Sequence, residues 1–527
     1  MPASKTLTKL PIGIQTFADL RENGYLYVDK TEYIYRLVSL GKSFFLSRPR
    51  RFGKSLLVST MQALFLGKKE LFKGLWIAKH WDFKQKFPVI KLDWSAVRRT
   101  SPEDAEPSLQ GFLKRIATDY KIKLTEKTAA DQFGELLESI HKKTGKQVVL
   151  LIDEYDMPIL DNLETPQAEP MRDYLQNFYK IIKSSDEHLR FIFLTGVTRF
   201  SKVALFSGLN SPLDITIDNR FSTICGYTQD ELEKNFKQHI KVIAEEGGVS
   251  VATALERIKF WYNGFSWDGI NPVYNPYSTL ILFTQKMFRG YWFSSGSPTF
   301  LIEQIKKRND VALVLEPVTL TLSNSDNFNI AHIDTAQLMF QTGYLSIKSV
   351  QKNAFGTTDT YTLGVSNEEV RVALIEYLTG LYANAQISNT LALREQMTTA
   401  LQNGDASSLE IFMRKMFADI PYKLYQKKEA YYHSLFLLWL NLLGFKVQGE
   451  VNTNLGSIDA VWELGKQVIV AELKYSTKLK AKTLLKNAMA QIKKNRYYEK
   501  YEKGSKTVSL LGIGFSGKEK DLACKIL

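Results

Sequence analysis

Two groups of residues in the 527-residue chain are spaced as chemistry would require. The first is Arg51-Phe52-Gly53-Lys54-Ser55, which follows the short apolar run Ser43–Ser47 and opens an apolar helical stretch, Lys54–Phe65. Strand, loop, Gly-Lys-Ser and helix in that order form a phosphate cradle of the Walker A type. The glycine allows close backbone approach, and the N–H groups of a helix N-terminus face the anion with the positive end of the dipole. Lys54 would reach the β- and γ-phosphates, and the Ser55 hydroxyl would ligate magnesium. The consensus places glycine five residues before Gly53, where this chain has Arg48. A lone Gly-Lys-Ser triplet also occurs as an ordinary loop and helix cap, so the reading needs a second element.

That element is Val148–Ile152, an apolar run ending in Asp153-Glu154. In a Walker B arrangement the aspartate supports Mg²⁺ and the glutamate polarises the attacking water. Strand-end acids can also be plain helix caps or solvated turns. The two elements together, in the expected order, imply ATP with Mg²⁺. A third run, Phe191–Thr195, precedes Gly196-Val197-Thr198-Arg199. Thr195 or Thr198 could sense the γ-phosphate and Arg199 could touch transition-state charge, with a surface arginine after a strand as the even alternative. Arg50 and Arg51 could bind phosphate or stabilise the loop.

The second group lies near the C-terminus. Ser457–Glu463 and Gln467–Leu473 read as strands around Gly465-Lys466, a two-residue hairpin loop with glycine first. That register sets Asp459 opposite Glu472 on one face, and Lys474 points to the same face. Two carboxylates and an ammonium suit phosphodiester hydrolysis: Asp459 and Glu472 as Mg²⁺ ligands, Lys474 to stabilise the phosphorane or orient water. The plain alternative is a cross-strand salt bridge on an exposed hairpin. The apolar run Ile469–Ala471 before Glu472 favours chemistry, and Glu429 and His433, four apart on the helical stretch Lys427–Leu443, lie on one face. Glu429 could complete the metal shell; His433 reads as a supporting or packing residue. A lysine-rich helix over Lys480–Tyr501 would contact phosphates without reading sequence.

These residues need scaffolds. Up to about Gln229 strand-like runs alternate with helices, the pattern of an α/β domain with a parallel sheet, with strands at Ser43–Ser47, Pro88–Asp93, Gln147–Asp153, Phe191–Thr195 and Leu213–Ile217. Residues 230–403 read as mainly helical, with strand-like pieces at Tyr344–Val350 and Thr360–Val365 before a helix at Glu368–Leu378, an order that suits a small winged-helix-like module. A linker is expected at Gln402–Ser408, and the basic terminal domain covers 409–527. The net charge is +14, and from Pro421 to Leu527 there are 19 Lys and Arg against 9 Asp and Glu, so most of the basicity sits there. Such a block marks a polyanion partner or a solvated lysine-rich surface. No apolar run is long enough for a membrane span and no signal-peptide core is visible. The two cysteines, Cys225 and Cys524, have no neighbours at ligand spacing, so a reducing cytoplasm is expected.

Taken together, the motifs resemble the AAA-ATPase-like proteins of bacteria and archaea, whose members commonly end in a PD-(D/E)XK nuclease-superfamily domain. The resemblance rests on Pro11-Ile12-Gly13-Ile14-Gln15, Tyr27-Val28-Asp29-Lys30-Thr31, Arg48-Pro49-Arg50-Arg51-Phe52-Gly53-Lys54-Ser55, Asp153-Glu154-Tyr155-Asp156 and Phe206-Ser207-Gly208-Leu209-Asn210. At the C-terminus it rests on Gly456-Ser457-Ile458-Asp459 and Glu472-Leu473-Lys474, with Gln491 matching a helix glutamine that often follows. It implies a P-loop ATPase-like domain (1–229), a helical lid with a winged-helix-like region (230–403) and a restriction-endonuclease-like α/β domain. Arg48 is then a family trait. The expectation is an ATP-binding protein, an ATPase coupled to a Mg²⁺-dependent endonuclease acting on nucleic acid, DNA ahead of RNA, in a setting such as defence against foreign DNA, with self-assembly into a homo-oligomer considered. Two other readings are a nucleotide-switched nucleic-acid-binding or scaffold protein with an inactive nuclease-like domain, and a motor ATPase that remodels partners.

Overall fold

The computed structural model describes residues 7–163, 165–199, 212–293, 301, 305, 312–315, 317–321, 334–353, 359–383, 390–418, 429–453, 456–502 and 506–527. The segment Phe206–Asn210 that contributes to the family resemblance lies outside them. Two compact units divide the chain: Met1–Gly296 with Thr319–Glu369, and Ser297–Val318 with Val370–Leu527.

In the first unit the apolar runs form a parallel sheet. Its strands are β1 (Ser43–Ser47), β2 (Val89–Asp93), β3 (Val148–Asp153), β4 (Leu189–Gly196) and β5 (Leu213–Asp214), in the order β2-β3-β4-β1-β5. Each neighbouring pair is parallel. Every residue of β3 is buried, and helices Lys54–Phe65 and Ala129–Thr144 both pack on it, which is why that strand is apolar up to its last residue, Asp153. The run read as Leu213–Ile217 pairs only at its first two residues. The Asp214 carboxylate accepts from Thr216 N at 2.9 Å and turns the chain out of the ladder.

Beyond the sheet, helices Gln229–Glu246, Val251–Tyr262 and Pro276–Gln285 pack around Phe236, Ile240, Ile258, Tyr262 and Leu282. The first of them starts with a capping box between Thr228 and Glu231. A short ladder joins β6 (Asn263–Phe265) to β7 (Val273–Tyr274), and a three-stranded sheet runs β8-β10-β9, with β8 at Val318–Thr321, β9 at Leu345–Gln351 and β10 at Thr360–Val365. Helix Thr335–Gln341 precedes β9 and helix Glu368–Ala383 follows β10.

The second unit carries a mixed sheet of β11 (Val447–Thr453), β12 (Gly456–Leu464), β13 (Gln467–Ser476), β14 (Thr507–Ser516) and β15 (Asp521–Ile526), in that order. All neighbours are antiparallel except β13 and β14. Helices Glu429–Leu442 and Ala481–Lys494 pack on β13. The stretch Gln402–Ser408 is a turn at 403–405 between helices Thr390–Gln402 and Ala406–Ala418 of this same unit. Gly404, at φ 64°, and Asp405, which accepts from Ser408 N, supply the turn chemistry; a tight helix–helix turn and a linker share that composition. The lysine-rich helix ends at Lys494, because Arg496 takes a left-handed φ of 45° and Tyr497 turns inward to full burial.

Candidate active sites

The loop between β1 and helix Lys54–Phe65 is built without the usual first glycine. Arg48 is fully buried, and its guanidinium donates to the carbonyls of Ser47 (2.8 Å), Thr216 (2.9 Å), Phe221 and Ser222 (both 3.2 Å). It also lies 4.0 Å over the Trp267 ring. Arg48 therefore holds the base of the loop and is not turned toward a phosphate. Each following residue is gripped by the segment beyond the sheet. Gly343 lies so close to Pro49 that a Cβ there would come within 2.4 Å of the proline ring. The Arg50 carbonyl accepts from Trp292 Nε1 at 3.0 Å, Arg51 sits 5.2 Å over Tyr277, and Phe52 is buried edge-on between Phe265 and Trp267.

Gly53, at φ 89°, caps the helix in a conformation that favours glycine. Lys54 is buried, its ammonium donating to the carbonyls of Arg48 (3.0 Å) and Pro49 (2.9 Å). Burial pulls its pKa down, against the opposing pull of Asp153, Glu154 and Asp156. Asp153 ends β3, fully buried; its Oδ1 accepts from Glu154 N at 3.1 Å and its Oδ2 lacks a partner. Burial pushes its carboxyl up, and Ser55 and Lys54 hold it down. Glu154 follows at φ 53°, its carboxyl also raised by burial. Ser55, Asp153, Glu154 and Lys54 thus converge on one corner. Arg199 is engaged elsewhere: its side chain pairs with Asp214 at 3.0 Å.

In the second unit the hairpin closes on Gly465-Lys466, with Leu464 paired to Gln467 and Gly465 at φ 60°. The ladder runs down to Ala460 opposite Ala471. At the next step the Asp459 Oδ2 accepts from Leu473 N at 2.6 Å, so this carboxylate crosses onto β13. Glu472 is fully buried; its Oε1 takes Lys474 Nζ at 3.0 Å and its Oε2 has no partner. Lys474 Nζ also reaches Glu429 Oε1 at 3.3 Å, and the other Glu429 oxygen accepts from Tyr475 N at 3.0 Å. His433 Nε2 lies 2.6 Å from the Asp459 carbonyl oxygen and so braces β12 from the helix. Burial, then the Asp459 charge, push Glu472 up to about 7, with Lys474 pulling the other way. Burial raises Asp459 too. For Lys474, burial works downward but is outweighed by Glu472, Asp459 and Glu429, so its pKa is raised and it stays charged. Gln491 donates to the Tyr497 hydroxyl at 3.3 Å.

A buried carboxylate oxygen without a partner is costly. Glu472 Oε2 and Asp153 Oδ2 are two such atoms, and each sits beside an ammonium and a second acid. Hard oxygen donors of this kind fit a divalent cation of the magnesium type, which takes one or two protein carboxylates and fills its shell with water and substrate oxygens.

Comparison with known proteins relates the stretches that carry these residues to two families. Residues 11–206 match the family model described as predicted AAA-ATPase. Residues 427–523 match that of the PD-(D/E)XK nuclease superfamily. The chain is also 38% identical over 515 residues, 96% of each chain, to a protein of Azotobacter chroococcum mcd 1 described as an uncharacterized protein in the vnfD 5′ region. The chain belongs to the AAA-ATPase-like family. In this AAA-ATPase-like protein the family match ends at residue 206, yet the aromatic residues that grip the phosphate loop lie beyond it, at 265–344. Those residues carry no motif that marks them in the sequence, and Asp156 stands out there only as part of the family resemblance. Asp156 is buried and accepts from Val197 N, Thr198 N and Thr198 Oγ1, tying the turn after β3 to the turn after β4. Its place directly after Asp153-Glu154 is the one local signal that could have marked it. Among the described residues no helix is long and apolar enough to cross a membrane.

Proposed function

We propose that the protein binds ATP at Gly53-Lys54-Ser55 and Asp153, and hydrolyses phosphodiester bonds of nucleic acid at Asp459, Glu472 and Lys474, the first event governing the second. The observation that carries the nuclease half is Glu472: a fully buried carboxylate with one oxygen unpaired, beside Asp459 and a charged lysine. A structural salt bridge would need neither that burial nor a second acid. Asp459 and Glu472 would hold Mg²⁺ in the second unit, and Ser55 and Asp153 in the first. The chemistry supplied by magnesium in such a site is acidification of water and neutralisation of charge on phosphate.

The residues of the chain do the rest. Lys474, kept cationic by three acids, stabilises charge on the phosphate oxygens. Glu429 restrains Lys474 and the β13 backbone, so the ammonium is aimed before substrate arrives. In the first unit Glu154, its carboxyl raised by burial, would accept a proton from water. Lys54 leaves two loop carbonyls to reach phosphate. DNA is the preferred substrate class, the cytoplasm the compartment, and defence against foreign DNA the setting.

The test is a cleavage panel on full-length protein with and without ATP and Mg²⁺. Asp459→Ala and Lys474→Ala should each lower Mg²⁺-dependent cutting by at least ~100-fold and leave ATP binding intact. Cutting that survives both substitutions rejects the nuclease assignment. The alternative, a nucleotide-switched binding protein whose nuclease-like unit is inactive, is favoured by one observation. Among the described residues no three His, Cys, Asp or Glu side chains converge as a ready metal cage. It expects salt-sensitive binding without cutting, altered by Lys54→Ala.

A further inference from the structure

A groove in the second unit runs between helix Ala481–Lys494 and the edge strand β15, with a volume of about 510 Å³. Leu485 and Met489 form its floor, and Lys482, Lys486, Lys493 and Lys525 its rim. The rim follows from helix geometry. Positions 482, 486 and 493 are four and eleven residues apart, which keeps them within about 40° of one another on one face and spreads them over about 16 Å. All four lysines are exposed, and among the described residues none has an ion-pair or hydrogen-bond partner. That separates them from Arg414, Lys474, Arg496 and Lys506 of the same unit, each of which is paired with a carboxylate. The single acidic side chain lining the groove, Glu410, is already spent on Cys524 N at 3.0 Å and on Arg414. Lysine on an edge strand can serve only to block strand addition. That accounts for Lys525 but not for the helical row facing it.

We infer that this groove is a backbone-binding track for nucleic acid, in which the four lysines neutralise consecutive phosphates of one strand. A row of about 16 Å spans roughly five nucleotides at 3.4 Å each. β15 lies two strands from β13, about 10 Å across the sheet, and helix Ala481–Lys494 packs over β14 between them, so a strand held there follows the outer side of that helix. The rim presents flexible ammonium groups and no side chain suited to bidentate base contacts, so the track holds a strand without reading its sequence. The inference rests on the nucleic-acid reading above, and it adds where the strand lies.

The experiment uses the full chain carrying Asp459→Ala, so that the probe is not cut, with a fluorescein-labelled 20-nucleotide strand and the corresponding duplex. Affinity is measured from about 50 to 200 mM salt. Replacing Lys482, Lys486, Lys493 and Lys525 with Gln should reduce the slope of log K against log salt by about 3, from four lost contacts at roughly 0.7–0.9 each. Replacing the exposed Lys68, Lys69 and Lys73 of the first unit with Gln should leave the slope unchanged. All of these side chains are exposed, so the variants should match the parent in circular dichroism. A parent that binds with a slope the four substitutions do not change overturns the track alone. A parent that binds neither probe at low salt overturns the nucleic-acid reading with it, and preferential binding of polyglutamate over both probes reassigns the groove to an acidic protein.

Discussion

Glu472 has no access to water and one oxygen without a partner. Burial first, and the charge of Asp459 next, raise its pKa to about 7 from an ordinary 4.5. An acid whose pKa is raised in the folded state takes up a proton more readily folded than unfolded. The fold therefore loses stability as pH climbs from about 4.5 to about 7, and the loss is complete above that. The shift corresponds to about 3 kcal/mol. In metal-free buffer Glu472→Gln should thus gain up to about 3 kcal/mol on the parent between about pH 5 and pH 8. Added Mg²⁺ should narrow the gap at the upper end, because a cation compensates the ionised carboxylate. The same proton competes with metal, so Mg²⁺-dependent cutting should fall as pH drops below about 7. Denaturant titrations of both proteins at the two pH values check this; a gap that stays constant with pH would mean that Glu472 does not titrate in this range.

The phosphate loop shows how an element can keep its function with a changed rule. Glycine at position 48 would free the backbone; the arginine there fixes it through four carbonyls and a tryptophan face. Arg48→Lys keeps the charge but loses the planar fork that reaches those carbonyls. It should destabilise the first unit by about 3 kcal/mol and weaken ATP binding at least tenfold, read by calorimetry and thermal melting. Wild-type affinity in the lysine variant would mean the loop holds its shape without the fork. How much of this the residues announced depends on the range of the interaction. β3 was legible because a strand covered on both faces is a continuous apolar run, and the hairpin register because a two-residue turn leaves little freedom. Asp459, Glu472 and Lys474 could therefore be read as neighbours. The grip of Trp267, Trp292 and Gly343 on Arg48–Pro49–Arg50 was not legible, since it joins residues far apart in sequence with no shared period. The contact of Gln491 with Tyr497 was not legible for a related reason: the helix ends at Lys494 and returns Tyr497 to meet it, a turn set by Arg496 at positive φ.

At the level of the molecule, the question is how an event at the phosphate loop could reach the other unit. A line of direct contacts starts at the Arg50 carbonyl, which takes the Trp292 indole N–H at 3.0 Å. The backbone N–H groups of Tyr291 and Trp292 donate to Glu369 Oε1 at 2.6 and 2.8 Å, and Ser278 Oγ does so at 2.9 Å. Glu369 is buried and its carboxyl is pushed up to about 7 by that burial. It stands in the first turn of helix Glu368–Ala383, which belongs to the first unit up to Glu369 and to the second from Val370. Glu369 therefore ties the loop carbonyl, through Trp292, to the start of a helix that runs on past Val370. Trp292→Phe preserves an aromatic ring against Phe265 and Tyr344 but removes the indole donor. If this line carries the signal, the variant should bind ATP within about threefold of wild type, a loss under the ~1 kcal/mol of one hydrogen bond. Its peptide covering 368–378 should lose the ATP-dependent slowing of amide exchange expected of the parent. The effect of ATP on cutting should shrink with it, while cutting without ATP stays the same. Full ATP dependence in the variant, in exchange and in cutting alike, would place the coupling elsewhere. Because exchange is read without any turnover, that result would stand even for a chain whose nuclease unit proved silent.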